Sequence, residues 1–123
     1  MSAAHALPRE EMLHSTRGMR DALPWPMSKW RGTSGRVYVV TVRPVAEVEA
    51  EDLPGSVVIA VRRDGTGYSS GIGQIVRVTA IADAAAARSL IAGLPKAVCE
   101  LHLHRIQPDA SERVRIVADL DAE

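Results

Sequence analysis

The chain has no phenylalanine, and only two tryptophans and two tyrosines among its 123 residues. A core built with so few large rings must be held by aliphatic packing, and the apolar residues are mostly Ala, Val, Ile and Leu. There is one cysteine, Cys99, which excludes an internal disulfide and suits a reducing compartment. Neither charge is in excess. The 15 basic and 15 acidic side chains cancel, leaving no net field to draw the protein toward nucleic acid or an anionic membrane. No apolar run approaches the ~20 residues that span a bilayer, and residues 1–8 lack the apolar stretch of a secretion signal. The expectation is a cytoplasmic protein.

What is there fits one domain with an extension. A chain of this length buries roughly two-thirds of the surface its unfolded form exposes and needs no metal or disulfide to fold. Composition changes near Gly35: all four methionines and Pro8, Pro24 and Pro26 precede it, and Val/Ile-rich runs follow. Residues 1–35 read as an N-terminal extension and 36–123 as a single α+β domain. Within the extension, Pro8-Arg9-Glu10-Glu11 reads as a helix start, with Met12, Thr16, Met19 and Leu23 at helical spacing. Pro24-Trp25-Pro26 ends that helix and holds the chain extended. Alternatively Met27 is the biological start, since Met27-Ser28-Lys29-Trp30 leads straight into the first strand.

Strands are expected at Arg36–Arg43, Ser56–Arg63, Gln74–Ile81 and Ala97–Ile106. An acidic connection ending in Leu53-Pro54-Gly55 joins the first two, and Asp64-Gly65 marks a hairpin turn before the third. Asp83 caps a helix over Ala84–Ala92 that stops at Gly93-Leu94-Pro95. Asp109 and Glu112 have capping-box spacing at the start of the last helix, whose expected buried stripe is Ala110, Val114, Val117 and Leu120. The order (α)βββαβα describes an α+β fold: a two-layer, four-stranded mixed sheet with helices packed on one face, and a crossover from third strand through helix to fourth.

Alternation sorts the faces. Cys99, Leu101 and Leu103 point one way, Glu100, His102 and His104 the other. Val57, Ile59 and Val61, with Val76, Val78 and Ala80, are apolar enough to join the leucines under the helices. The opposite face then collects Tyr38, Val40, Val42, Val58, Ala60, Arg62, Ile75, Arg77, Thr79 and Ile81 beside the histidines. That mixture is too apolar for open water and too polar for a dry core. It calls for a cover, either the Trp25/Trp30 segment or the same face of a second copy.

The chemistry legible on that face is modest. Glu100-x-His102-x-His104 places three potential divalent-metal ligands on one strand face, but no further ligand is nominated, so ordinary hydrogen-bonded histidines are the plainer reading. Arg62 and Arg77 beside them suit a small anion. The glycines from Gly65 to Gly73 precede a strand rather than a helix, which favours a hairpin over a phosphate loop. Ser69 and Ser70 lack a nucleophile elbow, and Cys99 faces away from the histidines and reads as a core thiol. No catalytic residue, metal or cofactor is assigned. Trp25, Trp30 and Tyr38 are the candidate partner contacts, because burying large rings releases much apolar area. The expected function is a small non-enzymatic binding or regulatory accessory module. It would be homodimeric through the mixed sheet face, with a protein partner held through the Trp segment as a further option. The alternative is a metal- or anion-binding, enzyme-like domain using Arg62, Arg77, Glu100, His102 and His104. Neutrality and scarce stacking rings disfavour nucleic acid.

Overall fold

The computed structural model describes residues 7–12, 27–63, 73–105 and 109–121. Its elements in chain order are β1 (Arg9–Met12), β2 (Met27–Arg31), β3 (Val37–Pro44), β4 (Val57–Arg63), β5 (Gly73–Ala80), α1 (Ala84–Ala92), β6 (Glu100–His104) and α2 (Ala110–Leu120), with two short 3-10 turns at Val45–Glu47 and Ala50–Asp52 between β3 and β4. Local signals act as their chemistry dictates. The Asp83 carboxylate accepts from the Ala86 amide at 2.8 Å to cap α1, and Asp109 accepts from the Ser111 amide at 2.9 Å to cap α2. Gly55 takes a φ of +85° in the turn before β4, a conformation glycine adopts without strain.

The sheet differs from expectation. It has six strands in the order β1-β2-β3-β6-β4-β5, and every paired neighbour is antiparallel. It is therefore not a four-stranded mixed sheet. The β5–α1–β6 connection does return to a strand of the same direction, but β4 lies between the two. The expected N-terminal helix is replaced over Arg9–Met12 by an edge strand paired with β2. Long-range pairing there overrides a helical spacing that was only a local preference. Thr16, Met19, Leu23 and the Pro24-Trp25-Pro26 segment lie outside the described residues, as does the Asp64–Gly67 turn. The hairpin that turn implied is nonetheless present as the β4–β5 pair.

The helices lie on opposite faces, not on one. Around α1 the core is Leu53, Val58, Ala60, Ile81, Ala87, Leu90, Val98, Leu101 and Leu103. Around α2 it is Trp30, Tyr38, Val40, Val57, Ile59, Val61, Ile116 and Leu120. The face expected for Val57, Ile59 and Val61 is thus inverted: they stand directly opposite His104, His102 and Glu100. In β5, Ala60 pairs with Arg77 while Val61 pairs with Ile75, so Val76 is an extra, bulged residue. The bulge shifts parity, putting Ile75 on the α2 side with Val78. In α2 the packed residues are Ile116, Leu120 and Val117, and Val114 is 64% exposed. Cys99 precedes β6 and is exposed rather than buried.

The sheet curls into a half-barrel, bringing its two edges together at one end. Glu10 on β1 reaches Arg63 at the end of β4, and a Cβ built on Gly73 of β5 would sit 2.6 Å from Glu10 Oε1. Gly73 is the gap through which the edges meet. Gly73→Ala should therefore lower stability by about 1–3 kcal/mol, measured as the urea midpoint at constant m-value. An unchanged midpoint would show that the edges do not close there.

Candidate functional site

The α2-side face of the sheet carries two polar assemblies, one at each end of β6. At the Glu100 end, four elements converge. The Arg63 side chain is 4% exposed, and its guanidinium bridges Glu10 of β1 and Glu100 of β6, with Nη2 at 3.0 Å from Glu10 Oε2 and 2.8 Å from Glu100 Oε1. Ser28 Oγ of β2 donates to Glu10 Oε2 at 2.7 Å. Trp30 Nε1 donates to His102 Nδ1 at 2.9 Å, and His102 Nε2 lies 2.8 Å from Glu100 Oε1. An indole nitrogen can only donate. His102 Nδ1 must accept, so its proton sits on Nε2 and is given to Glu100. Burial pushes the Glu100 carboxyl up, but the hydrogen bond from His102 and the Arg63 guanidinium outweigh it and hold the group at about 2. Burial likewise works against charge on Arg63, and its two carboxylate partners overcome it.

At the His104 end, the core opens. Its ring meets Tyr38 edge-on at 5.6 Å, and Nδ1 lies 2.8 Å from the Val39 carbonyl oxygen. A carbonyl only accepts, so Nδ1 carries a proton, and Nε2 is the ring nitrogen left for a further partner. Beyond it, Asp119 of α2 gathers the loop between β2 and β3. Its carboxylate accepts from Thr33 Oγ1 at 2.9 Å and from the Ser34 amide, Ser34 Oγ and Tyr38 OH, each at 2.7 Å. Burial pushes the Asp119 carboxyl up, and these donors more than reverse it, leaving it below the ordinary range. Burial first, then the hydrogen bond to Asp119 and the charge of that carboxylate, raises the Tyr38 hydroxyl to about 12, so it stays a neutral donor at physiological pH.

These residues wall a cleft between the start of β3 and α2. One lobe, about 510 Å³, is lined by Thr33, Ser34, Arg36, Tyr38, Arg115 and Asp119 among others. A second, about 370 Å³, has His104, Val37, Val39, Glu112 and Ile116 on its walls and shares Arg36 and Tyr38 with the first.

The residues singled out from the sequence are divided by this arrangement. Glu100, His102 and His104 do share a face, and all three are buried. Arg62 and Arg77 do not join them. Arg62 is exposed and bonds Gln74 across the β4–β5 pair, while Arg77 is exposed and stands near Gly93 at the end of α1. Trp30 and Tyr38 are buried inside the chain at 1% and 7% exposure, and Trp25 lies outside the described residues. The cover required by the mixed face is supplied by Trp30, Ile116 and Leu120 of the same chain. Among the described residues no three His, Cys, Asp or Glu side chains are placed to hold a metal.

Sequence reasoning missed Arg63, Glu10, Arg36, Arg115 and Asp119. Arg63 had a signal: it stands two residues after Val61 and so shares its face. Asp119 had none, being 81 residues from the tyrosine it holds.

Arg63→Met should cost about 3–5 kcal/mol in denaturant unfolding, because it strands two buried carboxylates, whereas Arg62→Met should stay within about 0.5 kcal/mol. Equal effects would remove the cluster from the fold's energetics. A carboxyl held at about 2 against an ordinary 4.5 contributes stability that is complete above pH 4.5 and is lost as pH falls toward 2. Glu100→Gln should therefore begin less stable and lose less over that window, read from urea midpoints at successive pH values. A variant as acid-sensitive as the parent would contradict the assignment. No protein-family model, no curated protein and no solved structure matches this chain.

Proposed function

We propose that the chain is a small non-enzymatic binding module whose ligand site is the cleft between β3 and α2. The observation that carries this reading is His104: it is 5% exposed, lines the cleft, and engages the described residues through Nδ1, which lies on the Val39 carbonyl. A ring held through one nitrogen, with the other left for a ligand at the wall of a cleft, is what a polar ligand needs for orientation.

What supports a non-catalytic reading is the state of the other polar groups. Glu100 and His102 have 0% exposure and spend their polar atoms on Arg63, Trp30 and each other. A base or nucleophile must reach its substrate, and these two meet only their own chain. The sheet face on which a second copy was expected to dock is filled by α2 and Trp30, which supports a module that binds as a single chain.

Two measurements test this. Light scattering with mass determination should return the mass of one chain, and a stable dimer would overturn the single-chain reading. In two-dimensional amide NMR, a panel of small polar molecules should give saturable shifts clustered on Val37–Val39, His104 and Asp119. His104→Leu should weaken the best of them at least fivefold, which is the loss of one oriented hydrogen bond, about 1 kcal/mol. Shifts scattered over the surface, or clustered on β5 or α1, would sink the cleft as the site.

A further inference from the structure

The two lobes of the cleft differ in chemistry, and the difference specifies a ligand. The larger lobe offers donors. Arg36 and Arg115 both line it, and Arg36 has no carboxylate partner among the described residues, while Arg115 has only a 3.4 Å contact to Glu112 with its side chain 74% exposed. The acid in that lobe, Asp119, is already saturated: four donors from Thr33, Ser34 and Tyr38 fill its two oxygens. It competes little for the guanidiniums. Two arginines beside a spent carboxylate form a site for an oxyanion, whose oxygens accept charge-assisted N–H bonds.

The smaller lobe is different: His104 turns Nε2 to it with Nδ1 already engaged, Glu112 adds a carboxylate, and Val37, Val39 and Ile116 make the remaining wall apolar. The Glu112 carboxylate repels an anion, and the lobe fits a short carbon skeleton bearing hydroxyl groups, which both donate and accept and so can pair with Nε2 or Glu112. Arg36 and Tyr38 belong to both lobes, so the lobes adjoin and a single ligand can contact both.

Resting on the cleft as the binding site, we infer that the ligand is a small polyol carrying one oxyanion head, the head held by Arg36 and Arg115 and the hydroxylated body facing His104. Phosphate and carboxylate share the head chemistry, and the test separates them.

The probes are glycerol 3-phosphate, glycerate, glycerol and inorganic phosphate, each titrated into the full-length chain and followed by amide NMR. Either anionic polyol should bind at least tenfold more tightly than glycerol and more tightly than inorganic phosphate. The tighter of glycerol 3-phosphate and glycerate identifies the head. Inorganic phosphate alone should move Ser34, Arg36 and Asp119 and leave His104 still. Arg36→Ala with Arg115→Ala should erase the advantage of the anionic polyols over glycerol. His104→Leu should instead erase their advantage over inorganic phosphate. Arg62→Ala with Arg77→Ala, both exposed on β4–β5, controls for general charge and should change neither. If neutral molecules occupy the cleft as tightly as the anionic ones, the head assignment fails while the cleft stands. If nothing in the set or the wider panel shifts cleft residues, both fail. Binding that is insensitive to the arginine pair overturns the inference outright.

Discussion

Arg63 is the group around which the fold is arranged. A guanidinium cannot be buried without partners, and the two it uses come from opposite ends of the chain. Glu10 arrives only if β1 joins the sheet beside β2, and Glu100 arrives only if β6 inserts between β3 and β4. The pairing of one side chain thus requires the edge strand, the strand order and the curl together. Trp30 and His102 follow from it, because the indole reaches the imidazole only when that imidazole is already oriented by Glu100.

The parts of this arrangement that could be read from the sequence were those with unmixed local signals. Helix α1 came out with its limits and its cap because an aspartate, an alanine run, a glycine and a proline stand in the order helix ends demand. The shared face of Glu100, His102 and His104 was legible because Glu-Leu-His-Leu-His alternates without ambiguity, whereas their burial beneath α2 was not. Residues Val57–Val61 offered no such contrast: both faces are buried, and period two cannot sort a run that is apolar throughout. The bulge at Val76 hid the faces of β5 in another way, by changing parity in mid-strand. In β1 the acids after Pro8 imitate a helix start, and only a partner 53 residues away gives Glu10 its role.

The cleft was illegible for a related reason. Its walls come from residues 33–39, from His104, and from Glu112 to Asp119, three stretches with no shared motif. Each has an ordinary local explanation: a turn, a strand end, a helix. What joins them is the Asp119 carboxylate, which ties the C-terminal end of α2 to the β2–β3 loop through side chains and through the Thr33 amide to its own carbonyl. Gly32 lies so close to that carboxylate that a Cβ would overlap it. The glycine there serves close approach, not a turn, which is why turn chemistry alone did not expose it.

The two polar ends of β6 divide the labour between fold and site, and the difficulty met in reading β4 shows why a costly charged cluster is retained. The five-residue apolar run Val57–Val61 still presents apolar side chains to both faces if it slips by one residue. The degeneracy is physical and not merely a limit of pattern reading. Arg63 breaks it. A slip by one would carry the guanidinium to the α1 face, away from both carboxylates, and leave three ions stranded. Replacing the cluster by apolar residues could match its stability but would restore the ambiguity. With register fixed at the Glu100 end, the His104 end is held in place relative to α2, where the ring is anchored by its Nδ1 to the Val39 carbonyl at the wall of the cleft.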